Sequence, residues 1–190
     1  MCTTNNIVKF FIAFLFSSIL LGKSNENEVL KSDLDSLNIL TKKSPERAIR
    51  FARELLKKVA PISESNFEYK INNTLGEIFL DLQMYGQAMS HFTEANMIRE
   101  KLGQGSAPWL LINMGNVYYQ QQKYIKAREY YLNGLDKFNS LKHNQDNRVS
   151  GRKVALSNLG RIEVRVKNYD KALNYFREAL DVSRKSPRFL

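Results

Sequence analysis

Three stretches of this chain superimpose without a gap, and that internal repeat limits the fold more than any other feature. Gly76, Ala88, Phe92 and Ala95 recur as Gly115, Ala127, Tyr131 and Gly134, and again as Gly160, Ala172, Phe176 and Ala179. The spacing is 12, 4 and 3 residues in every copy. A tyrosine stands at the same place in each (Tyr85, Tyr124, Tyr169), and a large residue follows the first two glycines at Phe79 and Tyr118. Intervals of three and four place side chains on one face of a helix, so each copy reads as two amphipathic helices. Polar turns separate them, as in Gln121-Gln122-Lys123 and Val166-Lys167-Asn168. Only 4 prolines and 9 glycines interrupt 190 residues, so helices of this length can persist. Glycine within a helix costs about 1 kcal/mol against alanine. Its recurrence therefore points to close packing of the second helix on the first. The alanine opposite serves the same contact, and the aromatic is expected to fill the space between successive hairpins.

On these residues the chain resembles the tetratricopeptide repeat family, whose unit is a helix-turn-helix of 34 residues. The resemblance implies an all-α fold, a right-handed superhelical solenoid of antiparallel helix pairs. The units fall at about 69–102, 108–141 and 153–186, with a weaker one at 29–62. The weaker unit has Leu30, Leu34, Leu37 and Leu40 in one helix. Its second helix starts with Ser44 as N-cap and Pro45 at the first position, continues through Ala48, Ala52, Leu55 and Leu56, and is expected to stop at Pro61. The glycines lie 39 and 45 residues apart, and the surplus is assigned to the connections Gly103–Ala107 and Lys142–Arg152. Lengthened repeats of this kind are similar to those of bacterial signalling proteins and peptide-pheromone receptors.

Two features depart from the family pattern. Glu163 occupies the position of Phe79 and Tyr118. Either it reaches solvent and pairs with Lys167 one turn on, or it is a partly buried acid beside Arg161 and Arg165. The chain also reaches Leu190 directly after the last helix, which leaves an apolar edge at Val182, Phe189 and Leu190 without a polar capping helix. A partner covers that edge, or the sequence is the front part of a longer architecture.

Residues 1–24 read as an export signal and residues 25–190 as the repeat domain. Lys9 precedes the apolar run Phe10–Leu21, and Gly22-Lys23-Ser24 places small residues at the −3 and −1 positions of a cleavage site. Twelve apolar-run residues fall short of the ~20 that span a bilayer. The alternative is an uncleaved anchor, the one route to a membrane expected here. The resulting localisation is periplasmic or extracellular.

Catalytic chemistry finds no foothold. Cys2 is the only cysteine, and His91 and His143 stand 52 residues apart, so neither a nucleophilic set nor a zinc site can be assembled. Gly103-Gln-Gly105-Ser106 lacks the Gly-Lys of a phosphate loop. Asn72-Asn73-Thr74 is a formal glycosylation sequon within a helix. The expectation is a protein that is not an enzyme and has no cofactor, metal or small-molecule substrate. Without Lys9 and Lys23 the net charge of +10 falls to +8, which scatters along the chain. Nucleic acid binding would rest on that charge alone and conflicts with export, so it is not expected.

The family resemblance implies that first helices line a concave groove for a protein or peptide partner. Mapped onto this sequence, the groove residues are Lys70, Asn73, Thr74 and Glu77, then Trp109, Asn113, Asn116 and Tyr119, then Ser157, Asn158, Arg161 and Arg165. Recurring asparagines (Asn73, Asn113, Asn158) carry a donor and an acceptor and can grip an extended backbone, or they merely cap and solvate helix surfaces. Trp109 and Tyr119 would clamp an apolar side chain, and Arg161 and Arg165 would pair with a carboxylate. The function expected is an exported interaction module. The alternative is the sensory ectodomain of a membrane-bound histidine kinase or diguanylate cyclase.

Overall fold

The computed structural model describes residues 27–60, 66–141 and 145–184. Residues 1–24, expected to direct export, and Pro61, His143, Phe189 and Leu190 lie outside them. All regular structure among the described residues is helical, and two compact units divide at Lys58–Val59.

In the first unit, α1 is helical over 27–43 and α2 runs Pro45–Val59. Leu30, Leu34 and Leu37 are buried on α1, and Ala48, Ala52 and Leu55 on α2. Proline sits at the first position of α2, where its missing N–H costs no hydrogen bond. The Ser44 hydroxyl donates to the Glu46 carboxylate at 3.3 Å. Lys58 and Asp33 pair at 2.6 Å, which ties the end of α2 to the early part of α1 and makes the pair an antiparallel hairpin.

The second unit holds three hairpins: α3 (Asn66–Asp81) with α4 (Tyr85–Lys101), α5 (Pro108–Gln120) with α6 (Tyr124–Ser140), and α7 (Gln145–Arg165) with α8 (Tyr169–Arg184). Phe92, Ala88, Tyr131 and Ala127 are fully buried and Ala172 nearly so. The recurrent aromatic, however, does not act first as filler between hairpins. Its ring lies on the glycine of its own hairpin. A Cβ on Gly115 would come within 2.6 Å of Tyr131, and one on Gly160 within 2.6 Å of Phe176. Gly76 meets Phe92 in the same way. The glycine exists to admit a ring, not merely a helix backbone. Contact between hairpins depends on a glycine outside the repeat pattern: Gly151 of α7 takes the ring of Phe138 from α6.

The turn inside each hairpin has one geometry. Gln83, Gln122 and Lys167 share one repeat position, and all have φ near +60°. The next residue's N–H bonds back to the carbonyl five residues earlier: Met84 to Phe79, Lys123 to Tyr118, Asn168 to Glu163. This is the Schellman closure of a helix end, made without the usual glycine. Gly103 closes α4 in the same manner. The surplus residues after it form the irregular link to α5, and the Arg99 guanidinium pins that link by donating to the carbonyls of Gly105 and Gln104. The second surplus is different. Residues 145–152 are not a loop but the first turns of α7, which reaches 21 residues.

Candidate peptide groove

Helices α3, α5 and α7 stand side by side, and their candidate groove residues form two polar knots. In the first, the Glu77 carboxylate accepts from the amides of Asn73 and Asn113, each at 2.8 Å, and links α3 to α5. In the second, Asn116 Oδ1 accepts from the Tyr131 hydroxyl at 2.8 Å and from Asn158 Nδ2 at 3.3 Å, which links α5 to α7. Arg161 then donates to Asn158 Oδ1 at 3.2 Å. Asn158 is only 7% exposed. The asparagines are therefore neither simply solvated nor plain caps. They staple neighbouring hairpins, and part of their hydrogen-bonding capacity is used in the free protein.

A cleft of about 470 Å³ opens beside the second knot. Asn116, Tyr119, Asn158 and Arg161 line it together with Asp81 and Tyr85. Tyr119 organises its cationic wall. The Arg161 guanidinium stacks on the ring at 4.6 Å, and Arg165 Nε donates to the hydroxyl at 3.1 Å. That hydrogen bond holds Arg165 firmly in its charged form. An arginine has five N–H donors in a fixed fork, so each guanidinium keeps most of its donors after these contacts.

The remaining groove residues lie elsewhere. Lys70 is exposed on α3. Trp109 Nε1 donates to Asn147 Oδ1 at 2.5 Å, and its ring meets that of Phe138 in a T-shaped contact at 5.0 Å. Thr74 is buried, and Ser157 is half-buried. Sequence reasoning missed Asp81. The available signal was its position four residues after Glu77, one turn further along the same face.

Glu163 takes the buried alternative, being 1% exposed, and its partners are not the Arg161 and Arg165 expected. Arg128 of α6 pairs with it at 2.7 Å, and Lys171 of α8 lies at 3.7 Å. A carboxylate in a family's apolar position thus joins three helices. Val182, expected on an open edge, is buried beside Leu156 and Ala179. Asn72 of the sequon is also buried and bonds the Glu68 carbonyl and His91, so it is closed to a glycan in the folded chain. Among the described residues no His, Cys, Asp or Glu cluster could hold a metal, and no helix is long and apolar enough to cross a membrane.

Comparison with known proteins agrees with this architecture. The tetratricopeptide repeat model matches residues 106–185. The structure is similar to BtubC (BKLC) from P. vanneervenii, with a TM-score of 0.66 and 22% identity over 73% of this chain. This chain spans 56% of the length of that one. It is also similar to Podosopora anserina TPR-like repeats of the kinesin light chain type, with a TM-score of 0.53, 10% identity, and coverage of 84% of this chain and 97% of that one. At such identities the likeness is one of fold. No protein of curated function matches the chain in sequence. The helices from Asn66 to Arg184 carry one repeated hairpin, and residues 106–185, its last two copies, match the tetratricopeptide repeat.

Proposed function

We propose that this chain is an exported protein-interaction module that holds an extended peptide segment of a partner along α3, α5 and α7. Tetratricopeptide repeats themselves support a role in protein–protein interaction. The observation that carries the finer reading is the cleft where Asn116, Tyr119, Asn158 and Arg161 meet. An extended strand needs partners for alternating donors and acceptors. The Asn116 oxygen is occupied, so its amide donors face the task of binding, while Asn113, whose amide donates to Glu77 and Asn73, offers its oxygen. The arginines on Tyr119 suit an acidic side chain, and their geometry exists before any ligand arrives, which lowers the ordering cost of binding. Export rests on the short apolar core after Lys9 and the small-residue site at Ser24.

A partner recovered with the full chain from its native compartment supplies the test. Isothermal titration should show Tyr119→Ala and Arg161→Ala binding about 5- to 150-fold more weakly, the range for losing about 1–3 kcal/mol. Glu129→Ala and Arg177→Ala, on second helices, should bind as the parent does. The reverse pattern, with the second-helix variants dead and the groove variants intact, would sink the groove reading.

A further inference from the structure

The cleft has two electrical poles. Arg161, with Arg165 beside it, forms the wall on α7, and Asp81 lines the same cleft from the end of α3. Glu77, one turn before Asp81, stands outside the cleft lining, and its carboxylate accepts from the amides of Asn73 and Asn113. Lys70 does not cancel that pole. It lies eleven residues before Asp81, about 16 Å along the helix at 1.5 Å per residue. The cationic pole is held in place: Arg161 is fixed by the Tyr119 ring and Asn158 Oδ1.

We infer that the groove selects a zwitterionic peptide segment, with an acidic side chain for Arg161 and Arg165 and a basic one for Asp81. This rests on the groove reading above and adds the charge pattern of the ligand. Two positive poles would have favoured any acidic tail. Here a second acid in the ligand meets Asp81 and is repelled, so the selectivity includes a repulsive element. The spacing follows from the helices. Two helix-to-helix steps of about 8–10 Å separate α3 from α7. About five residues of extended chain, at ~3.4 Å each, cover that distance.

Four synthetic peptides on one Ala/Ser/Leu frame test this with the full chain. They differ only at two positions about five residues apart, which carry Glu and Lys, two Glu, two Lys, or two Ser. Fluorescence anisotropy at low salt should rank the Glu/Lys peptide first, by about three- to fivefold over the others, the scale of a partly exposed ion pair. That margin should shrink as salt is raised. Asp81→Arg replaces the carboxylate that lines the cleft with a second cation and should put the two-Glu peptide first. Circular dichroism checks that this variant keeps its helices. Equal binding of all four peptides, abolished by Tyr119→Ala, would overturn the charge pairing and leave the groove reading standing. A two-Glu peptide already preferred by the parent chain, and unaffected by Asp81→Arg, would also overturn it. Binding by none of the four would overturn the pairing and count against the groove as well.

Discussion

Gly115 and Tyr131 compete for the same few ångströms. A methyl group on Gly115 would lie 2.6 and 2.7 Å from two carbons of a ring that has no exposed surface and no room to retreat. Gly115→Ala should therefore destabilise the protein by roughly 1–3 kcal/mol through overpacking. Gly86 has nothing within 4 Å of the corresponding point and sits in the helical part of α4. There Gly86→Ala should stabilise by about 0.5–1 kcal/mol. Urea unfolding of both variants checks the opposite signs. Glu163 makes a second case. Removing Arg128 strands a buried carboxylate, whereas replacing Glu163 by leucine restores the apolar residue its repeat position has elsewhere. Arg128→Ala should cost about 1–3 kcal/mol, less than a fully buried pair because Arg128 is 28% exposed. In a double-mutant cycle, Glu163→Leu should remove most of that cost, and simple additivity would show the pair to be uncoupled. At this scale residue types and intervals were legible in the sequence, but touching partners were not. A period places a side chain on a face and says nothing of what stands opposite, so the ring on the glycine and Arg128 beside Glu163 both went unseen.

At the scale of elements, the hairpins owe their uniformity to their turns. Gln83, Gln122 and Lys167 adopt the left-handed conformation at one repeat position. For residues with a Cβ this costs roughly 1–2 kcal/mol, and glycine avoids it while losing part of the gain to its flexible unfolded state. Gln122→Gly should accordingly raise stability by about 0.5–1 kcal/mol, and Gln122→Val should lower it by more. Thermal midpoints of the two variants measure this, and a fall for both would show that the turn is not set by its backbone. The sequence marked these segments as turns by polarity, but none has glycine or asparagine at the left-handed position itself. Packing of both helices imposes that conformation on residues that do not prefer it. The long spacing before Gly160 misled in a related way. Surplus length looks the same in sequence whether it loops or winds, and Phe138 seated on Gly151 is what holds the extra turns of α7 in the helix.

For the molecule as a whole, burial pushes the hydroxyls of Tyr69, Tyr130 and Tyr131 above the ordinary tyrosine range. Their protons are held more tightly in the folded state than in the unfolded one, whose tyrosines titrate near ~10. The stability this contributes is full below about pH 10 and is lost as pH rises through the folded values. Denaturation midpoints should hold level up to about pH 9 and fall beyond pH 10. Tyr131→Phe should be less stable at neutral pH, having lost its bond to Asn116, and should show a shallower alkaline decline. A second expectation concerns export. Mass spectrometry of protein from the native host should find the chain beginning near Asn25. An intact Met1 on soluble cytoplasmic protein would refute that.

The sequence by itself determined the helical hairpins and their number in the second unit. These follow from hydrophobic period and from where small residues recur, both of which are local properties of the chain. Candidate groove positions were legible for the same reason, because repeat register says which side of a first helix a residue occupies. Only the tertiary structure decided which of those residues meet. Asn116, Asn158 and Arg161 come together across two hairpins at separations of 42 and 3 residues, Trp109 turns to Asn147, and Asp81 enters from a helix that sequence places far away. Side-chain hydrogen bonds and charge pairs across hairpins depend on distances of a few ångströms. Repeat register fixes angles around each helix and leaves those distances to the packing of one hairpin on the next.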